Sequence, residues 1–217
     1  MKIANNDIKA IILDMDGTII DSTNVWQQVD IDFFGSRNME CPKTYADDIA
    51  HLGLYDAAIY TKEKYNIKES IDEIIQEWND FAYDYYANKI LLKDNVIPFL
   101  NKMKKENIKI ALATASPKNL YEPCLKRLKI YDYFDIIADV DMIKSGKNSP
   151  KIYDYIANCF KLDKKQIAVF EDVILPLKTA YDSGYITVSV YDKKSELQDD
   201  AKRQYSYLYI NNFKELL

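Results

Sequence analysis

Apolar residues fill positions 10–13 without a break, Ala-Ile-Ile-Leu, and the run stops at Asp14-Met15-Asp16-Gly17-Thr18. A strand covered on both faces of a sheet reads as a continuous run of this kind, whereas alternation marks a strand with one face in water. Comparable runs recur at 108–113, 135–138, 167–170, 187–190 and 207–210. Between them the apolar positions fall three and four apart, as on one face of a helix: Leu120, Tyr121, Cys124, Leu125 and Leu128, then Ile152, Tyr155, Ile156 and Cys159, then Ile174, Leu177, Ala180 and Tyr181. Strand and helix in alternation predict a parallel α/β sheet, a Rossmann-like core of three layers, α/β/α.

Residues 19–91 break the alternation. Their spacing is helical throughout, and Ile71, Ile74, Ile75, Trp78, Ala82 and Tyr85 share one face. We therefore expect an all-helical domain at 19–91, inserted into an α/β core made of 1–18 and 92–217, with hinges near 19–21 and 89–93. The eighteen tyrosines are concentrated in the helices, where they read as half-buried amphipathic packing.

Composition removes several mechanisms. The five glycines, Gly17, Gly35, Gly53, Gly146 and Gly184, never fall two apart, so no G-x-G-x-x-G loop exists, and Gly146-Lys147 lacks the earlier glycine of a P-loop. His51 is the single histidine, so H-E-x-x-H and His-rich zinc sites are excluded, and a lone histidine reads as a surface or packing residue. Cys41, Cys124 and Cys159 form no C-x-x-C and read as the reduced thiols of a cytoplasmic protein. A net charge of -5 argues against nucleic acid as partner. The apolar run at 10–13 is too short for a signal peptide or a membrane span, so no membrane partner is expected.

The remaining chemistry lies at strand ends. Asp14 and Asp16 close the first strand and are followed by Gly17, so like charges sit where an open α/β sheet binds ligands, and such a pair demands a cation. The same spacing at Asp30-Ile31-Asp32 and Asp139-Val140-Asp141 lacks this context and reads as solvated pairs. Thr114-Ala115-Ser116 follows the second strand. Ser116 as N-cap with Pro117 at the first helical position predicts a helix whose free amides, with the Thr114 hydroxyl, form an anion site; a capped helix without a ligand fits equally. Lys147, in the loop 146–150 ahead of a second Ser-Pro helix start, is either a phosphate partner or a solvated surface charge. Glu171-Asp172 ends a further strand in acid, which burial tolerates only with a partner.

In this order the motifs resemble the haloacid dehalogenase-like superfamily, and within it the branch of β-phosphoglucomutase and phosphoglycolate phosphatase: D-x-D-G-T at 14–18, the threonine at 114, the lysine loop at 147–150 and E-D at 171–172. The resemblance implies a helical cap at the insert and a Mg²⁺-dependent phosphatase acting on a small phosphorylated metabolite through an aspartyl-phosphate. It makes Asp14 the nucleophile and Asp16 the general acid and base. The metal would be held by Asp14, the main-chain carbonyl of Asp16 and Asp172, with Glu171 as an inner or outer partner. Thr114, Ala115, Ser116 and Lys147 would hold the phosphoryl oxygens.

Two departures from the branch stand out. Val173 replaces the serine that usually follows E-D, and Asn148 replaces the first proline of K-P-x-P. Branch mutases carry a histidine ten residues after the general acid, where this chain has Trp26, and an arginine after a Gly-x-Ser turn, where Gly53-Leu54-Tyr55 stands. Hydrolysis is therefore the expectation, with Trp26 and Tyr55 as candidate residues for selecting the leaving group. A phosphomutase and a non-catalytic phosphosugar-binding domain are the alternatives.

Overall fold

The structure, a computed structural model, describes residues 1–49, 52 and 54–217, the side chain of Asp47 excepted. His51 and Gly53, singled out in the sequence, lie outside the described residues. The chain divides into two compact units, Met1–Thr23 with Ile90–Leu217, and Asn24–Lys89.

The first unit opens with a small antiparallel pair, β1 (Lys2–Ile3) and β2 (Asn6–Asp7), and enters its main sheet at β3 (Ala10–Leu13). The second unit holds α1 (Val25–Gly35), α2 (Tyr45–Ile49), α3 (Leu54–Tyr65) and α4 (Ile71–Asp84), which ends in a π-helical turn at Tyr85–Lys89. The first unit resumes with α5 (Val96–Lys105), β4 (Lys109–Thr114), α6 (Lys118–Arg127), β5 (Ile136–Asp139), α7 (Val140–Ile143), α8 (Lys151–Phe160), β6 (Ile167–Glu171), α9 (Ile174–Asp182), β7 (Ile186–Val190), α10 (Asp199–Gln204) and β8 (Leu208–Ile210). Six strands pair in the order β5-β4-β3-β6-β7-β8, every pairing parallel. The strands lie where the apolar runs predict them, because both faces are covered. Ala10, Ile12, Ala111, Ala113, Ile167 and Val169 pack with Ile152, Tyr153, Ile156 and Phe160 of α8. On the other face, Phe170 meets Phe99 of α5 at 5.6 Å and stacks on Phe213 at 6.1 Å.

β3 lies centrally, with β4 on one side and β6 on the other. The chain therefore leaves in opposite directions from this point, which opens a crevice at the carboxyl ends of the strands. Asp14, Thr114 and Glu171 stand at those ends.

The linkers to the helical unit are tied to each other. Asp21 N donates to Leu91 O at 2.9 Å and Lys93 N to Ile19 O at 3.0 Å. Asp192, after β7, accepts from the Lys93 ammonium at 2.8 Å and the Thr23 hydroxyl at 2.9 Å, fixing both linkers to the sheet.

In the helical unit Tyr45 and Tyr65 belong to an aromatic core. Phe34 meets Tyr45 and Tyr65 edge-on, each at 4.9 Å, and Phe33 meets Trp78 at 5.5 Å. Along α4, Ile74, Trp78 and Ala82 are buried, and its start is fixed by a capping box between Ser70 and Glu73. Among the described residues, no helix is long and apolar enough to cross a membrane.

Two sequence expectations are corrected. Asp30 and Asp139 are buried, not solvated. Asp139 caps α7, accepting from Met142 N at 2.7 Å. Asp30 belongs to the buried stripe of α1 with Val25, Val29, Phe33 and Phe34, and burial pushes its pKa up to about 7. The two Ser-Pro helix starts are also displaced by one residue. α6 and α8 take Pro117 and Pro150 at the cap position, and no serine hydroxyl caps either helix.

Candidate active site

The loop after β3 folds back on one carbonyl. Met15 O accepts from the amides of Thr18, Ile19 and Ile20 at 3.0 to 3.3 Å, and Gly17 adopts φ +76° to allow it. A side chain at 17 would also collide with Asp172, since a Cβ there would lie 2.3 Å from Asp172 Oδ2. Glycine is thus required twice, by backbone conformation and by the approach of a carboxylate. The turn leaves Asp14 buried and Asp16 partly exposed.

Lys147 enters from the loop before α8 and is nearly sealed from solvent. Its ammonium contacts Asp14 Oδ1 at 2.6 Å, Glu171 Oε1, and the main-chain oxygen of Ala113 at 3.0 Å. Tyr153 adds its hydroxyl to Glu171 Oε1 at 3.1 Å, and Thr18 donates to Asp172 Oδ1 at 3.0 Å. One oxygen from each of Asp14, Glu171 and Asp172 falls within 4.8 Å of the others.

Three carboxylates against one ammonium leave this group short of positive charge. Desolvation raises the pKa of Asp14, Lys147 opposes it, and the charge of Asp16 adds to it. Burial and the proximity of Asp14 hold Glu171 well above the carboxylate range. Asp172 is pushed up to about 7, by burial first and Asp14 second. For Lys147 burial acts downward, but Asp14 and Glu171 outweigh it and its pKa is raised. A hard, all-oxygen donor set that is desolvated and over-charged fits a hard divalent cation.

Across from this cluster, Thr114 is fully buried at the end of β4, and its Oγ1 accepts from Ser116 N at 3.0 Å. Ala115 is exposed. The Ser116 hydroxyl, expected to cap α6, donates instead to Asp16 Oδ2 at 2.6 Å. The fold brings Asp14, Glu171, Asp172 and Lys147 into one group and joins Asp16 to Ser116 and Thr114. Trp26 and Tyr55 belong to the helical unit and are 44% and 58% exposed, so neither is part of its core.

Sequence reasoning missed several supporting groups. Tyr153 lies in the first turn of α8, just past the lysine loop, and its hydrogen bond to Glu171 has no periodic signal. Behind Asp172, the Ser195 hydroxyl donates to its main-chain oxygen at 2.7 Å. Where Val173 offers no capping oxygen, Gln198 Oε1 accepts from Ile174 N at 3.0 Å, so a distant side chain satisfies the first amide of α9.

Known proteins resemble this chain in sequence and in fold. A phosphorylated carbohydrates phosphatase of Thermotoga maritima is 27% identical over 207 residues, covering 89% of this chain and 92% of that protein. Hexitol phosphatase B of Escherichia coli is 27% identical over 177 residues, covering 77% and 76% of the two chains. A Thermotoga maritima protein provisionally named a beta-phosphoglucomutase superposes with a TM-score of 0.83 at 23% identity, over 97% of this chain and 100% of that one, and shares its fold. The family described as haloacid dehalogenase-like hydrolase matches residues 8–174. With most of its length accounted for by that match, the chain belongs to the haloacid dehalogenase-like hydrolases.

Proposed function

We propose that this hydrolase is a Mg²⁺-dependent phosphoric monoester hydrolase that acts on a small phosphorylated metabolite, such as a sugar phosphate, through an aspartyl-phosphate on Asp14. The observation that carries the proposal is the buried contact of Lys147 with Asp14 and Glu171 beside Asp172. The two relatives named as phosphatases support hydrolysis.

In this reading the Asp14 carboxylate attacks phosphorus, and an acyl-phosphate forms as the bond to the leaving oxygen breaks. Asp16 gives a proton to that oxygen. It then takes one from the water that attacks phosphorus and frees Asp14. The Thr114 hydroxyl accepts from the Ser116 amide, so its own hydrogen is available for a phosphoryl oxygen. The Ala115 amide, the Ser116 amide on leaving Thr114, and Lys147 would hold the other oxygens as charge shifts. Bound by Asp14, Asp172, the Asp16 carbonyl and Glu171, directly or through water, Mg²⁺ would offset the negative charge of the cluster and of the phosphoryl group. A cytoplasmic setting, with its free cysteines kept reduced, is consistent with this chemistry.

The helical unit is proposed to act as a cap that selects the leaving group, through Trp26 and Tyr55. The deciding experiment is phosphate release across a panel of phosphorylated metabolites with Mg²⁺. Wild type should turn over at least one and Asp14→Asn none, while Trp26→Ala should reorder the panel. Conversion of β-glucose 1-phosphate to glucose 6-phosphate would favour a mutase. Equal inertness of wild type and Asp14→Asn would favour a non-catalytic phosphosugar-binding domain.

A further inference from the structure

Lys202, on α10, has no exposed surface. Lysine is rarely buried to this extent, because its ammonium loses its hydration and must be compensated in full. Here it pairs with Asp199 Oδ1 at 2.7 Å and donates to the Ser195 hydroxyl at 3.0 Å. That hydroxyl donates in turn to Asp172 O at 2.7 Å, with Asp192 O farther off at 3.3 Å.

The order of donors along this chain is forced. An ammonium has hydrogens and no lone pair, so the Ser195 oxygen must accept from it, and the single hydroxyl hydrogen is left to point at a carbonyl. The carbonyl it reaches belongs to Asp172, one residue beyond the end of β6, where the sheet no longer holds the backbone. On the other side the Asp172 carboxylate is met by Thr18 and by the bare Cα of Gly17. An apolar side chain would fill the place of Lys202 at less electrostatic cost. What lysine adds is the fixed direction of these hydrogen bonds.

We propose that Lys202 and Ser195 are positioning residues, which fix the backbone of Asp172 so that its carboxylate is presented to a divalent cation together with Asp14 and Glu171. The inference rests on the metal-dependent reading above, and its role is geometric, with no proton moved. Outer partners of ligating groups typically change metal affinity by about 10–100-fold.

The test is a Mn²⁺ titration of the full chain, with free Mn²⁺ read by electron paramagnetic resonance, beside thermal unfolding without metal. Ser195→Ala should weaken Mn²⁺ binding about 10–100-fold, and Ser195→Thr, which keeps the hydroxyl, should restore most of it. Lys202→Met should shift affinity in the same direction as Ser195→Ala and carries the test if that variant does not fold. Tyr209→Phe removes the hydroxyl that donates to Asp199 Oδ2 at 2.7 Å, at the far end of the network, and should lower stability without moving Mn²⁺ affinity. Wild-type affinity in a less stable Ser195→Ala or Lys202→Met overturns the inference and leaves the phosphatase reading standing. A shift in Tyr209→Phe equal to that in Ser195→Ala overturns it as well. A wild-type chain that binds no Mn²⁺ overturns the inference, and one that also releases no phosphate takes the functional reading with it.

Discussion

Ser116 donates its hydroxyl to the carboxylate of Asp16 across 100 positions of sequence, at 2.6 Å. The bond helps to orient a partly exposed carboxyl. If Asp16 moves the proton, its aim matters more than its presence. Ser116→Ala should therefore lower kcat by about 10–100-fold with a smaller change in KM, because misplacing a reacting group by an ångström costs about that much. Steady-state kinetics check this, and a change confined to KM would contradict it.

Gly17→Ala adds a Cβ where Asp172 Oδ2 would be 2.3 Å away, at a φ of +76°. Either the turn opens or the carboxylate withdraws, and the Thr18 bond goes with it. We expect a folded protein whose phosphate release falls by about 100-fold or more and whose Mg²⁺ requirement rises. Circular dichroism and a Mg²⁺ titration of activity separate this outcome from unfolding; wild-type turnover would refute it.

Lys147→Met leaves Asp14, Glu171 and Asp172 buried without their ammonium. Removing one partner from a buried ionic group costs about 3–5 kcal/mol. Urea unfolding should show that loss, and Mg²⁺ should recover more stability in this variant than in wild type. Equal stabilisation of both by Mg²⁺ would argue against a shared electrostatic role.

Asp30 has its pKa raised from 3.8 to about 7 by burial in the helical unit. The folded state therefore holds a proton that the unfolded chain has released. The stability this contributes is complete below pH 3.8, declines as pH rises, and is gone above about 7. Asp30→Asn should remove this dependence, so that relative to the variant wild type loses ground between pH 4 and pH 7. At pH 8 the variant should have the higher Tm, by about 2–4 °C for each kcal/mol of this dependence that it removes. Both tryptophans, Trp26 and Trp78, lie in this unit, so their fluorescence reports its unfolding. A difference in Tm that stays constant with pH would defeat the prediction.

What the sequence revealed followed from burial. The six sheet strands were legible because burial on both faces keeps most residues of each run apolar, and observed and expected ends differ by at most one residue. The acidic pair at 14 and 16, the threonine at 114, the lysine at 147 and the acids at 171 and 172 were legible because they sit at strand ends. The pair β1 and β2 was not, since two-residue strands hold no period. Asp30 could have been found by following the helical phase of Val25, Val29, Phe33 and Phe34 through it; the D-x-D spacing distracted from that phase. Lys202 had no such signal, because Asp-Asp-Ala-Lys-Arg-Gln looks like any solvated helix, and only the tertiary fold carries its ammonium inward.

The bonds between residues 19–21 and 91–93 make the helical unit a closed excursion from the sheet. The entropy of closing a loop grows only with the logarithm of its length, about 0.6 kcal/mol for each doubling. Lengthening, shortening or exchanging the segment between these anchors thus asks little of the sheet's folding free energy. All the groups proposed to attack, protonate and neutralise lie outside it. Selection on what the enzyme recognises can therefore rewrite the insert while the chemistry inherits an unchanged frame.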